Sequence, residues 1–154
     1  RFKNTIWRHE KIRVRERRWS RIDTFFYGTK NYLQSYMNSK FLKHIFICVN
    51  ERDKNSPRGD CARCGGKEIR MEFVKLINQY GLKGKVRANK SGCLDVCEMG
   101  AAVVIYPDNF WYTKVKLEDI KEIFETSVLK DEVVKRLISN DKTWKDLKEL
   151  RKTN

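Results

Sequence analysis

Several features that this sequence lacks narrow the class of protein it encodes. It has no run of about 18 apolar residues, so no single membrane-spanning helix is predicted. It has no signal-peptide pattern, and its five cysteines are an odd number, whereas extracellular disulfide frameworks usually pair an even number. Paired carboxylates, a Ser–His pair and a phosphate-binding loop are also missing, so we predict neither an enzyme nor a small-molecule substrate.

Acidic residues are few relative to basic ones, and the imbalance is uneven along the chain. The 154 residues include 34 Lys+Arg and 20 Asp+Glu, a formal net charge of +14. Residues 1–40 carry a net charge of +8 and interleave basic residues with aromatic ones such as Trp7, Trp19 and Tyr32. Because such a surface attracts polyanions, we expect RNA, anionic lipid or an acidic protein surface to contact this basic N-terminal arm.

The beginning of the sequence favours an organellar protein. The first residue is Arg1 rather than Met, and the first 20 residues are rich in arginine and poor in acidic residues. A removed targeting sequence explains both features, although an arbitrary boundary would explain Arg1 equally well. We therefore expect a mitochondrial location, with the targeting sequence removed.

Apolar periodicity and turn residues divide the rest of the chain into short elements. Residues 41–50 are typical of a buried strand, and residues 51–60 of a polar loop. The predicted helices cover 64–81, 116–128, 131–138 and 141–154, and three further strands cover 83–90, 101–107 and 110–115. These elements divide the chain into a basic arm (1–40), a folded domain (41–139) and a charged C-terminal helix (140–154).

The order of the elements predicts an α/β fold. A strand–helix–strand unit with a right-handed crossover makes its two strands parallel, and a hairpin then adds antiparallel strands. This is the plan of a thioredoxin-like sandwich, a mixed four-stranded sheet with flanking helices. In the first helix, Asp60 is predicted to cap the first turn and Gly81 to end the last. Its apolar face is predicted to consist of Ile69, Phe73, Leu76, Ile77 and Tyr80.

The five cysteines fall at three points of this plan. Cys48 ends the first strand, Cys61 and Cys64 lie at the start of the first helix, and Cys93 and Cys97 follow the second strand. The carboxyl ends of parallel strands and the amino ends of the helices share one edge of an α/β sheet. The cysteines are therefore expected to converge on one site.

A 2Fe–2S cluster is one of three chemistries that this spacing allows. It needs four thiolates in two pairs, one pair for each iron, and its ligands would be Cys48, Cys61, Cys93 and Cys97. Glycines in the surrounding loops let the backbone approach sulfur, and nearby cations offset the negative charge. The candidate residues for these two roles are Gly59, Gly92 and Gly100, and Arg58, Arg63 and Lys90.

The other two chemistries use Cys64. A zinc site would combine Cys61 and Cys64 with Cys93 and Cys97, and would leave Cys48 as a core residue. A thiol-exchange site would use Cys61 and Cys64 at the helix start, where a thiol pKa is lowered, but it would leave the Cys93–Cys97 pair without a role. The spacing by itself leaves all three open.

Two segments of the sequence resemble a known family. They are HIFICVNERDKNSPRGDCARCGGKEI and LKGKVRANKSGCLDVCEMGAAVVIYPDNFWYTKVKLEDIKEIFE. Over about residues 43–138 the chain is similar to the thioredoxin-like 2Fe–2S ferredoxins, with their Cys-x-N-x-R strand end, Gly-Gly helix start and S-G-C-L-x-x-C-E-x-G loop. The resemblance implies a 2Fe–2S cluster with Cys48, Cys61, Cys93 and Cys97 as metal ligands. Cys64 stands where that family usually has another residue, and we expect it to be no ligand.

The resemblance also implies a function, one-electron transfer. The arm and the C-terminal helix lie outside it, and we predict that residues 1–40 and 140–154 bind protein subunits of a larger assembly. The predicted protein is thus an electron-transfer or accessory iron–sulfur subunit of a mitochondrial respiratory complex. The alternative is a structural iron–sulfur protein of an organellar ribosome, in which the arm contacts RNA phosphates.

Overall fold

The computed structural model describes residues 39–152 of the chain. The basic arm predicted over residues 1–40 lies almost entirely outside the described residues, and its role stays a prediction. The strands are β1 (Lys43–Cys48), β2 (Val86–Ser91), β3 (Val103–Tyr106) and β4 (Phe110–Tyr112). The helices are α1 (Gly66–Gln79), α2 (Ile120–Ile123) and α3 (Asp141–Lys152).

The four strands form one mixed sheet in the order β2-β1-β3-β4. β1 and β2 are parallel, with Cys48 opposite Ser91, because α1 crosses between them. β3 runs antiparallel to both β1 and β4, with Ile45 opposite Ile105. The predicted mixed sheet and its hairpin are confirmed.

The main core lies between the inner face of the sheet and the helices α1 and α2. Side chains alternate along a strand, so Ile45 and Ile47 point inwards while His44 and Phe46 lie on the outer face, where their rings stack. α1 contributes four of its five predicted apolar residues to the core, namely Ile69, Phe73, Leu76 and Ile77. Tyr80 is the exception: it is 42% exposed, because α1 ends at Gln79 and Gly81 turns the chain away at a φ of 63°.

A second apolar cluster occupies the outer face of the sheet at its cysteine end. Its buried members are Cys48, Cys61, Val96, Met99, Ala102 and Leu147. Leu147 belongs to α3, and Trp144 of the same helix makes an edge-to-face contact with Trp111 of β4 at 5.9 Å. α3 therefore packs across the end of the sheet that carries Cys48.

The segment predicted as a helix over residues 131–138 is not helical. The amide of Val134 donates to the hydroxyl of Tyr112, Ile138 forms a β-bridge with Tyr112, and the amide of Ser139 donates to Trp111 O. Only a single turn forms, in which Val134 O accepts hydrogen bonds from the amides of Leu137 and Ile138. The prediction was wrong because pairing with β4 uses backbone groups that a helix would have bonded internally.

The predicted helix over residues 116–128 is present in an irregular form. A 3₁₀ turn (Leu117–Asp119) precedes α2, and a π-helical turn (Phe124–Val128) follows it. Ser127 of this last turn bonds the buried Tyr112 hydroxyl at 2.7 Å, and its carbonyl accepts from the buried Lys43 ammonium at 2.8 Å. Within residues 39–152, no helix has both the length and the apolar character that crossing a membrane requires.

The start of α3 is held by a reciprocal cap. The Asn140 side chain accepts hydrogen bonds from the amides of Lys142 (3.0 Å) and Thr143 (3.2 Å), and Thr143 Oγ1 accepts from the Asn140 amide at 3.1 Å. This arrangement satisfies three amides at the helix start that have no partner within the helix. It explains why α3 begins at Asp141.

We expect Asn140→Ala to destabilise α3 by about 1 kcal/mol, because the first-turn amides lose their acceptor. The measurement is hydrogen exchange of the α3 amides compared with those of α1. Exchange should accelerate in α3 alone, and unchanged α3 protection would contradict this account of the cap.

Candidate metal centre

The structure brings the four predicted ligand residues to one edge of the sheet. Cys48 is the last residue of β1, and Cys61 lies in the turn that leads into α1. Cys93 follows β2, and Cys97 begins a short 3₁₀ turn (Cys97–Met99). They meet because β1 and β2 end where α1 begins, as the parallel arrangement requires.

The four thiols are arranged as two interacting pairs. Cys93 Sγ and Cys97 Sγ are 3.1 Å apart, and the Cys61 thiol interacts with that of Cys48. Residues 39–152 contain no group of three or more His, Cys, Asp or Glu side chains placed to hold one metal ion.

The four thiols differ in their exposure to solvent. Cys48, Cys61 and Cys97 are buried, and Cys93 is exposed. Burial raises the pKa of the Cys61 thiol well above its usual value, and the interaction with Cys48 raises this pKa further. Burial opposes ionisation at Cys93 too, but hydrogen bonds from the Cys97 thiol, the Asp95 amide and Arg52 lower the pKa of the Cys93 thiol overall.

Two glycines let the backbone approach the cysteines closely. A Cβ at Gly66 would clash with Cys48 O and lie 2.8 Å from Cys61 O, and a Cβ at Gly100 would lie 3.0 Å from Cys61 Sγ. Gly59 is less confined, with Cys97 O at 4.0 Å from an added Cβ. Around Gly92, apart from its chain neighbours Ser91 and Cys93, no described atom lies within 4 Å of that position, so the close approach predicted there stays a prediction. Gly66, rather than Gly92, provides the close packing.

The cation in contact with the thiols is Arg52, which the sequence-based prediction missed. Arg52 Nη2 donates to Cys93 Sγ at 3.4 Å and to Cys97 Sγ at 3.5 Å. Of the cations predicted for this role, Arg58 pairs with Asp95 and Glu98. Arg63 instead pairs with Asp60 and donates to the carbonyls of Arg52 and Asp53. The signal was present in the sequence, since Arg52 is the arginine of the Cys-x-N-x-R segment.

Asp60 organises the turn before α1 rather than α1 itself. Its carboxylate accepts from the amide of Arg63 at 2.8 Å and from the amide of Arg52 at 3.2 Å. α1 has Gly65 as its N-cap, with no side-chain capping bond. The prediction that Asp60 caps α1 was wrong by one turn, and the residue instead ties the Arg52 backbone to the turn that carries Cys61.

The fifth cysteine, Cys64, lies beside the site without joining either pair. Its sulfur would be 3.4 Å from a Cβ at Gly100, so it is near Cys61, but its side chain is exposed. Burial favours its neutral form and raises the pKa of the Cys64 thiol, as does the nearby Asp60 carboxylate. The nearby Arg63 guanidinium acts in the opposite direction and lowers this pKa.

The donors present fit a 2Fe–2S cluster. Four sulfurs stand in two pairs, and backbone amides donate to sulfur in both: Asp95 to Cys93 at 3.3 Å, and Ala102 to Cys61. Arg52 Nε is buried and has no hydrogen-bond partner among the described residues, so it remains available to an acceptor at the site. Amide and guanidinium donors stabilise the negative charge of such a cluster.

These features define a thioredoxin-like protein with a candidate iron–sulfur site, and known proteins share them. No protein-family model matches the chain. The 2Fe–2S ferredoxin of Aquifex aeolicus (strain VF5) is 39% identical over 97 residues, which are 62% of this chain and 87% of that protein. The 2Fe–2S ferredoxin of Clostridium pasteurianum is 36% identical over 94 residues, 61% of this chain and 92% of that protein.

Solved structures agree with the sequence relatives. The crystal structure of the thioredoxin-like [2Fe-2S] ferredoxin from Aquifex aeolicus superposes with a TM-score of 0.62 at 38% identity, covering 67% of this chain and 100% of that one. The chain therefore belongs to the thioredoxin-like 2Fe–2S ferredoxin family. This confirms the predicted family and fold, and the predicted cofactor is the one named for both relatives.

We expect Arg52→Ala to lower the reduction potential of the site, because a positive charge beside Cys93 and Cys97 favours the more negative reduced state. The shift should be modest, since the guanidinium is only partly buried and solvent screens its charge. Redox titration followed by visible absorption measures it. Lys54→Ala, which removes an exposed cation from the same loop, is the control. An equal shift in both variants would mean that Arg52 acts only through net charge.

Proposed function

We propose that this protein binds a 2Fe–2S cluster through Cys48, Cys61, Cys93 and Cys97 and transfers single electrons. The observation that carries the proposal is that four thiols lie as two pairs at one edge of the sheet, in a chain that belongs to this family. When bound, such a cluster takes up and releases one electron without making or breaking a substrate bond. This accounts for a site whose donors are sulfur atoms.

The chain's own residues then have distinct parts in the proposed activity. Cys48 and Cys61 lie within the second apolar cluster and exclude water from one side of the site. Cys93 is exposed, so an electron partner would approach from the Cys93 side. Arg52 contacts the thiols on that same side and offsets part of their negative charge.

The test is visible absorption and low-temperature EPR of anaerobically purified protein before and after dithionite, with iron, sulfide and zinc assayed on the same sample. We expect two irons and two sulfides per chain and a rhombic one-electron signal on reduction. A colourless protein that contains one zinc, and that remains so after cluster reconstitution, would overturn the proposal.

We further propose that the protein works as a subunit of a mitochondrial assembly, most simply a respiratory complex. The support is the basic arm, with its net charge of +8 over residues 1–40, and the charged helix at the other end of the chain. Isolation of the native protein from mitochondria, in a particle much larger than 18.4 kDa with redox subunits, is the expected result. Recovery with ribosomal RNA would instead favour the structural role, and a steep loss of RNA binding with added salt would assign the contact to the arm.

A further inference from the structure

The loop that carries Cys93 and Cys97 is held by arginines from two different parts of the chain. Arg58, in the loop before α1, pairs with Asp95 at 2.8 Å and with Glu98 at 2.7 Å. Arg151, in the last turn of α3, pairs with the same two carboxylates, at 3.1 Å and 3.3 Å. It also donates to the Asp95 carbonyl. Asp95 lies between the two cysteines and Glu98 directly follows Cys97. Both arginines therefore form ion pairs with the ligand loop itself.

Glu98 is the more deeply buried of the two carboxylates. Its side chain is only 4% exposed, and its Oε1 atom accepts hydrogen bonds from the guanidinium groups of Arg58 and Arg151. Its Oε2 atom is buried with no hydrogen-bond partner among the described residues. A buried carboxylate is costly unless it is paired, so the loss of one arginine weakens the position of the whole turn that begins at Cys97.

The same helix closes the apolar side of the site. Leu147 is 6% exposed and belongs to the cluster that contains Cys48, Cys61 and Met99. Trp144, one turn earlier, anchors α3 to Trp111. Leu147 and Arg151 are four residues apart and therefore lie on one face of α3. This face therefore joins the apolar cluster around Cys48 and Cys61 at Leu147 and the loop of Cys93 and Cys97 at Arg151.

We propose that α3 is a brace for the cluster-ligand loop, with Arg151 as its positioning residue. Arg151 holds Asp95 and Glu98 so that Cys93 and Cys97 stay in one geometry, and Leu147 keeps water from the Cys48–Cys61 pair. The inference rests on the proposed function, because the loop is a ligand loop only if the cluster binds there.

The experiment compares Arg151→Ala, Arg151→Lys and Leu147→Ala with Lys148→Ala, a control that removes an exposed charge from the same helix. Loss of visible absorbance in an iron chelator should be about fivefold faster in Arg151→Ala and Leu147→Ala, as expected for charge-assisted bonds and apolar contacts that are partly open to water. Arg151→Lys should recover part of the difference. Lys148→Ala should match the unaltered protein.

Two further readouts separate positioning from general stability. The EPR spectrum of reduced Arg151→Ala should be broadened, because the loop then samples several geometries, while its thermal unfolding midpoint stays near that of Lys148→Ala. Hydrogen exchange of the cluster-free chain should be faster at residues 93–99 in Arg151→Ala than in Lys148→Ala.

The outcomes are distinguishable. Equal chelation rates, line widths and loop exchange in Arg151→Ala and Lys148→Ala would overturn the brace. If the unaltered protein binds no iron, the proposed function fails, but the exchange measurement still decides whether Arg151 holds the loop. Faster loop exchange in that case would leave α3 as a brace of a different site.

Discussion

Cys48→Ala should abolish 2Fe–2S binding, whereas Cys64→Ala should leave two irons and two sulfides on the chain. These two cysteines form the deciding pair because each belongs to only one candidate ligand set. The cluster set contains Cys48 and omits Cys64, and a four-cysteine zinc set does the reverse. The other three cysteines are common to both.

The structure favours the set with Cys48. Cys48 is fully buried and its thiol interacts with that of Cys61, within a cluster that also contains Leu147 and Ala102. Cys64 is exposed and lies outside that apolar cluster. Alanine is preferred to serine in this test because a serine oxygen can itself coordinate iron.

The measurement is iron and sulfide content after anaerobic reconstitution, with far-UV circular dichroism to confirm that both variants fold. The expected loss in Cys48→Ala is essentially complete, since one iron would lack a ligand. A cluster retained in Cys48→Ala but lost in Cys64→Ala would contradict the assignment and restore the alternative ligand set.

Gly66→Ala should destabilise the cluster-free protein by about 3 kcal/mol and prevent cluster binding. A methyl group at this position would meet the carbonyl oxygens of both Cys48 and Cys61. Neither can move freely, because Cys48 belongs to β1 and Cys61 O accepts the Gly66 amide at 2.8 Å. The substitution therefore pushes apart the two elements that carry the buried thiol pair.

Gly92→Ala is the matched control, since it adds the same methyl group one residue before Cys93, where no described atom other than those of its chain neighbours lies within 4 Å. Its free energy of unfolding should change by about 0.5 kcal/mol or less. Urea unfolding of the cluster-free variants measures both effects. Similar stabilities for Gly66→Ala and Gly92→Ala would show that the backbone at Gly66 can yield, and would refute the close-packing account.

Most of the fold could be predicted from local pattern. The apolar run that became β1, the three- and four-residue spacing of Ile69, Phe73 and Leu76, and the hairpin residues before β4 each reflect a periodicity that burial imposes. Convergence of the cysteines followed from topology, because parallel strands place their carboxyl ends at the helix amino ends. These are properties of neighbouring residues or of element order, and the sequence contains both.

The failures share a different cause. Residues 131–138 have a helical pattern, yet Val134 and Ile138 bond to Tyr112 of β4. The arginines near the cysteines could be counted, but only the packed loops decide that Arg52 faces Cys93 while Arg58 faces Glu98. Long flexible side chains reach many positions, so their partners cannot be read from spacing.

By itself, the sequence determined the thioredoxin-like plan, the family and the four cysteines proposed to hold the cluster, because turn residues, apolar periods and cysteine positions are local and ordered along the chain. Only the tertiary structure decided that Cys48 and Cys61 are buried together and that their carbonyl oxygens leave no room for a side chain at Gly66. It also decided that α3 packs against the ligand loop through Leu147 and Arg151. The contact between Arg151 and Asp95 joins residues 56 positions apart. These contacts exist because packing the last helix on the outer face of the sheet buries apolar surface that no local pattern assigns to a partner.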